Sequence, residues 1–226
     1  MFRSGELGRT AGCQPACFAM RSTNHPLMYK TTSGGFKLSG AWRSRGFMPH
    51  FDGDNVPQFV TYRLAGTLPK DVLEKFKRQF ESGSITEIEY HELVDDYLDG
   101  NRGIAFLRIA KVATVIEENL LRFDKVKYKL HAWVIMPNHV HVLFTPIHGY
   151  KLGAIVHSMK SYSANRANSL LGRSGKFWAR EYFDRYIRDG RHFSNCLRYI
   201  HNNPVKAGLC AEAADWAFSS ARYLGE

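Results

Sequence analysis

His131-Ala-Trp-Val-Ile-Met-Pro-Asn-His-Val-His-Val-Leu-Phe-Thr-Pro146 is the stretch from which the fold is read. Trp133, Val134 and Ile135 favour strands, and Pro137-Asn138 is a turn signal. The stretch therefore predicts two strands joined by a tight turn. Along the second strand side chains alternate between faces. His139, His141 and Leu143 share one face; Val140, Val142 and Phe144 share the other. Two imidazoles two residues apart on a strand can point at one ion, and imidazole is the commonest metal-binding side chain. A lone His-x-His arises often by chance, and a histidine near a strand end is more often hydrogen-bonded and structural. Here the strand is apolar, where two unpartnered imidazoles are costly to bury.

Composition bounds what surrounds this hairpin. With 226 residues the chain has room for one good-sized domain, or one domain and a tail. No run of about eighteen apolar residues exists, so no membrane span is expected. The N-terminus lacks an apolar leader core, which argues against secretion. Cys13, Cys17, Cys196 and Cys210 form neither a disulfide framework nor a paired zinc motif, so a reducing, cytoplasmic setting is expected. Net charge is +10 and the pI about 9.5, which favours a polyanionic partner such as nucleic acid. The charge is unevenly spread. Residues 151–210 carry eleven Lys/Arg against Glu181, Asp184 and Asp189, whereas residues 81–99 carry seven acids and no Lys or Arg.

Residues 1–45 hold seven Lys/Arg against one acid, many Gly and Ser, and no sustained periodicity; they are expected to be a disordered basic extension, with the folded domain over 46–226. Gln58 to Leu64 reads as a strand. Pro69 opens a helix with Leu73, Phe76 and Phe80 at helical spacing. A second, acidic helix runs from about Thr86 to Leu98; Ile88, Glu92 and Asp96 stack on a face read as solvated or substrate-repelling. Ile109, Val112, Ile116 and Leu120 mark a third helix. After the central hairpin, Leu152, Ile155, Met159 and Tyr162 mark a fourth, and Tyr182 to Ile187 reads as a strand. The last helix is expected from about Phe193 to Asn202, closed by Asn203-Pro204 and Gly208. This order predicts an α+β, ferredoxin-like β-α-β-β-α-β core: an antiparallel sheet with helices on one face, plus an added helix, and the two histidines on a central strand.

Tyr199 and Asn203 lie four residues apart on the last helix and can face the same way. Alone, Tyr199 reads as a packed aromatic and Asn203 as a helix C-cap before proline. Together with the histidines they suggest more. Two imidazoles and an amide oxygen make a mixed N/O site suited to Mg²⁺ or Mn²⁺. Such an ion polarises a phosphodiester, and a tyrosine one turn away could be the nucleophile. Tyr162, Tyr182 and Tyr186 also lie in the basic half, and spacing leaves them open as nucleophiles. No general base is identifiable; His201 is near Tyr199 in sequence but points elsewhere on the helix. Lys160, Arg166, Trp178, Arg180, Arg185, Arg188, Arg198 and Lys206 are the candidate DNA contacts. Trp178, Tyr182 and Tyr186 offer faces on which unpaired bases could stack.

Five motifs in order carry a resemblance: Arg43-Ser-Arg-Gly-Phe-Met-Pro-His-Phe51, Gln58-Phe-Val-Thr-Tyr-Arg-Leu64, Met136-Pro-Asn-His-Val-His-Val142, Glu181-Tyr-Phe-Asp-Arg-Tyr-Ile-Arg-Asp189 and Tyr199-Ile-His-Asn-Asn-Pro-Val-Lys-Ala-Gly-Leu209. From about Trp42 to Tyr223 the chain resembles the REP-associated tyrosine transposases, a bacterial branch of the HUH single-tyrosine transposases. The resemblance implies His139 and His141 as metal ligands, Asn203 as the third, Tyr199 as nucleophile, and Mg²⁺ or Mn²⁺ as the metal. It implies cleavage and transfer of single-stranded DNA beside hairpins of repetitive extragenic palindromes, through a 5′-phosphotyrosine with a free 3′-OH, by a monomer or homodimer. The alternative is a non-catalytic nucleic-acid-binding module on the same ferredoxin-like scaffold. A zinc hydrolase is disfavoured, because Leu143 stands where a His-x-His-x-Asp motif needs its aspartate.

Overall fold

The computed structural model describes residues 40–44, 49–53, 55–100 and 103–224. Its centre is a four-stranded antiparallel sheet. β3 (Gln58–Arg63), β4 (Tyr128–Ile135), β5 (His139–Pro146) and β6 (Phe183–Tyr186) stand in the order β4-β5-β3-β6. With helices in the β3–β4 and β5–β6 connections, this is the expected ferredoxin-like plan. A separate hairpin, β1 (Gly40–Ser44) with β2 (Pro49–Gly53), begins inside the stretch read as an extension. It is tied to the sheet by a hydrogen bond between His50 Nδ1 and Asp184 Oδ1 and by Phe51 N donating to Asp184 Oδ2 at 3.2 Å. Residues 1–39, the bulk of the expected extension, lie outside the described residues.

Among the described residues five α-helices complete the fold: α1 (Lys70–Glu81), α2 (Glu87–Asp99), α3 (Ala110–Arg122), α4 (Leu152–Leu170) and α5 (Gly190–Lys206). They cover both faces of the sheet, a correction to the expected single layer. Val60, Tyr62, Val140, Val142 and Phe144 pack against Val112, Ile116 and Leu120 of α3 and Ile155, Val156 and Met159 of α4. The opposite face, with Ala132, Val134 and Leu143, packs against Phe193 and Ile200 of α5. The strands are apolar on both sides, so each face needs a cover. α5 is the added helix, and it supplies the second one. A third cluster, Leu68 with Tyr90, Val94 and Leu98, belongs to α1 and α2.

α5 is longer than its sequence suggests. Pro204 lies inside it, not after it. A proline in the last turn removes one donor from the helix without ending it. The stop is Gly208, at φ +66°. Its N–H reaches Val205 O at 2.9 Å and the Leu209 N–H reaches Pro204 O at 2.9 Å, the paired closure typical of a left-handed glycine end. Asn203 is therefore a helical residue one turn beyond Tyr199, not a C-cap.

Candidate active site

β5 carries His139 and His141 on the face that α5 covers, and both are fully buried. Their Nε2 atoms stand 2.9 Å apart. The far nitrogen of each ring is held. Asn138 Nδ2 donates to Leu98 O at 3.0 Å, which turns its Oδ1 toward His139 Nδ1 at 2.6 Å. An amide oxygen only accepts, so His139 carries its proton on Nδ1 and its Nε2 bears a lone pair. His141 Nδ1 pairs with Thr61 Oγ1 at 2.7 Å, because β3 sets Thr61 directly opposite His141. Burial first, then Lys206, drives the His139 pKa down to about 3. His141 is pushed down too, by burial and by His139. Both rings are neutral, the form that ligates metals.

Tyr199 stands edge-on to His141, ring centroids 5.4 Å apart, and to Phe59 at 5.9 Å. Its hydroxyl donates to Asp95 Oδ2 at 2.8 Å. Asn203 is buried, and neither its Oδ1 nor its Nδ2 has a hydrogen-bond partner. Such an orphaned amide is rare in a folded interior and marks a place where something else can bind. Tyr199, Asn203 and Lys206 line a shallow depression with Asn195, Arg198 and Asn202. His139, His141 and Asn203 are the residues that could hold a metal. Among the described residues no group of three or more His, Cys, Asp or Glu is arranged to do so.

The acidic helix corrects the sequence reading. Ile88, Glu92 and Asp96 are exposed, as expected, but Tyr90, Val94 and Leu98 bury the other face. That packing carries Asp95 and Asp99 inward. Asp95 is buried against Tyr199; Asp99 Oδ1 is 3.7 Å from His139 Nε2. Lys206 Nζ reaches Asp96 at 2.6 Å and Asp99 at 3.5 Å. Burial raises Asp95 to about 7, against the lowering effect of the Tyr199 hydrogen bond. Burial raises Asp99 to about 6, opposed by Lys206. Burial, and then Asp95, holds the Tyr199 phenol well above its ordinary value.

The other candidates sort by exposure. Arg166, Arg180, Arg188 and Arg198 are exposed, as is Lys206; Arg185 is half-buried on β6. Lys160 is committed: its ammonium donates to Ala179 O at 2.8 Å and Arg180 O at 2.9 Å, and burial lowers its pKa to about 8. Trp178 is a correction. It is a core residue, its indole N–H donating to Ser163 Oγ at 2.9 Å and its ring edge-on to Tyr62. No base can stack on it without opening the core. Tyr182 keeps one face against His50, centroids 4.5 Å apart, and Tyr186 packs on Phe51. His201 is turned away from Tyr199, its Nε2 pairing with Ser220 Oγ at 2.9 Å.

Comparison with known proteins bears on this fold and site together. A family described as Transposase IS200 like matches residues 110–203, the stretch from α3 through the histidine strand to Asn203. The relatives it resembles are REP-associated tyrosine transposases, the resemblance that the five motifs carry. The chain is 24% identical over 94 residues to the REP-associated tyrosine transposase of Escherichia coli (strain K12), a stretch covering 41% of this chain and 54% of that one. A Haemophilus influenzae protein provisionally given the same name is 40% identical over 48 residues, 21% of this chain and 27% of its own. The matched stretches thus span about half and about a quarter of these relatives' lengths. A solved REP-associated tyrosine transposase bound to a REP hairpin shares the fold, with a TM-score of 0.52 at 16% identity over 77% of this chain and 81% of that one. Among the described residues no helix is long and apolar enough to cross a membrane.

Proposed function

We propose that the chain cleaves and transfers single-stranded or hairpin DNA of the REP type, with Tyr199 as nucleophile and Mg²⁺ or Mn²⁺ held by His139, His141 and Asn203. The product is a 5′-phosphotyrosine and a free 3′-OH. One observation carries the reading: the Tyr199 ring packs 5.4 Å from a buried imidazole whose Nε2 is 2.9 Å from that of its neighbour. Two nitrogens each about 2.1 Å from one ion, at a right angle, stand about 3 Å apart, so the spacing suits a shared divalent cation. The orphaned Asn203 amide gives the same helix an oxygen ligand to offer. When bound, the ion polarises the scissile phosphate and orients it.

The protein groups do the rest. Asn138 and Thr61 fix the histidine rings, and such partners of ligating histidines orient them and tune their basicity. Exposed Arg166, Arg180, Arg188 and Arg198 offer phosphate contacts, so binding falls steeply with salt as counterions are released. The hairpin held by the solved relative supports the substrate class. The test is incubation with labelled hairpin DNA and Mn²⁺. A DNA adduct that survives SDS and is lost in Tyr199→Phe is expected. Salt-sensitive hairpin binding without any adduct would instead make the chain a non-catalytic nucleic-acid-binding module.

A further inference from the structure

We infer that Asp95 takes the proton from the Tyr199 hydroxyl as that oxygen attacks the scissile phosphorus. The inference rests on the tyrosine-nucleophile reading above and gives that chemistry its base. The Tyr199 hydroxyl donates to Asp95 Oδ2 at 2.8 Å, across 104 positions of sequence. Asp95 is only 6% exposed, and a carboxylate is seldom buried to this extent without a task. No local role accounts for it: Asp95 neither caps α2 nor pairs with Lys206, which engages Asp96 and Asp99 instead. Its placement is also firm. The Tyr90–Val94–Leu98 stripe anchors α2, and Asn138 holds Leu98 O with the same side chain that orients His139. One asparagine thus sets both the base and the first histidine.

The charges around the pair define how the proton leaves. Asp96 and Asp99 of α2 and Lys206 of α5 face it. Burial, and then these acids, hold the Tyr199 phenol above its ordinary value, so the proton moves during attack, which is general-base catalysis. The balance is simple. The O–H electron pair stays on Tyr199 Oη and forms the Oη–P bond, and the proton goes to Asp95. The P–O3′ bond breaks with its electrons on the 3′ oxygen, which takes a proton from water to become the 3′-OH. Asp95 then loses its proton to solvent, and in strand transfer the steps run in reverse. Burial raises Asp95 to about 7, near the value at which a base is most effective at neutral pH.

The experiment measures single-turnover cleavage of labelled hairpin DNA with Mn²⁺ from pH 5 to 9, in the native chain, in Asp95→Asn, and in both with Tyr199 replaced by a fluorinated tyrosine whose phenol ionises more readily. In the native chain cleavage rises with pH and levels off near 7. Asp95→Asn lowers the plateau by about 10²–10⁴-fold, abolishes that rise and leaves hairpin binding intact. Fluorotyrosine restores more activity to Asp95→Asn than it adds to the native chain, a result that a merely structural aspartate does not give. If the native chain forms no adduct, the tyrosine-nucleophile reading fails, and this inference falls with it. If the native chain forms the adduct and Asp95→Asn cleaves within about threefold with the same pH profile, only Asp95 is refuted. Should Asp95→Asn not fold, the fluorotyrosine chain with Asp95 intact decides. A weakened rise below pH 7 supports the base; an unchanged rise overturns it.

Discussion

Tyr199→Phe removes one oxygen, and the structure says what that oxygen holds. Its hydroxyl satisfies Asp95, which is 6% exposed. A hydrogen bond to a buried charged group contributes about 1.5–3 kcal/mol. The phenyl ring keeps its edge-on contacts with Phe59 and His141, so packing loss is small. The loss should depend on pH, and its sign can be worked out. Burial already raises Asp95 from 3.8 to about 7, while the Tyr199 hydrogen bond pulls it down. Deleting the hydroxyl raises it further. A carboxyl whose folded pKa lies above its unfolded value adds stability that is complete below the unfolded value and is lost as pH rises through the folded one. Tyr199→Phe extends that loss to higher pH. At pH 5 Asp95 is protonated and a neutral hydrogen bond worth about 1 kcal/mol is lost; at pH 8.5 the loss is about 2–3 kcal/mol. A domain of this size converts each kcal/mol into about 2–4 °C of melting temperature. Melts of both proteins at the two pH values are the assay, with the variant falling further behind at pH 8.5. An equal deficit at both, or none, would refute the buried Asp95–Tyr199 pair.

Three further substitutions probe the rest of the site. Asn203→Leu removes two orphaned polar atoms at similar volume, so it should stabilise the apo-protein by about 1–3 kcal/mol while Mn²⁺ no longer raises the melting temperature; a destabilised variant that still responds to Mn²⁺ would be the contrary result. Thr61→Val deletes the partner of His141 Nδ1 and should weaken Mn²⁺ binding, read by calorimetric titration, by about 10–100-fold. Trp178→Phe should cost about 1–2 kcal/mol, through the lost bond to Ser163, and leave hairpin affinity unchanged in a gel-shift titration. A large affinity loss without a melting change would restore Trp178 as a stacking surface.

The hairpin and its two histidines were legible because period-two alternation is local, and the same alternation told the His face from the Val face. That Tyr199 and Asn203 stand one turn apart on a single helix was legible because helical spacing is local too. What escaped the sequence came from long-range packing. Asp95 sits among seven acids in residues 81–99, and nothing nearby distinguishes it from solvated Asp96. The apolar stripe of Tyr90, Val94 and Leu98 did hold a clue, since a residue adjacent to Val94 is swung toward whatever that stripe covers. Trp178 misled because an aromatic among arginines resembles a stacking surface, while the serine that receives its N–H lies fifteen residues away. Pro204 misled because a proline in a last turn obeys the glycine stop behind it. The second helical layer escaped because the face an added helix covers depends on the path of the chain after β6, which periodicity does not encode.

The small cluster that α1 and α2 build with Leu68 meets the sheet through Phe183, which packs on Tyr90 and His91. It is a satellite of the main core. Units of that kind open on their own, at a free energy below that of global unfolding. The histidines stand on a central strand of the main sheet; Asp95 stands on a helix of the satellite. The Asp95–Tyr199 hydrogen bond therefore joins two packing units, and any opening of the smaller one breaks it.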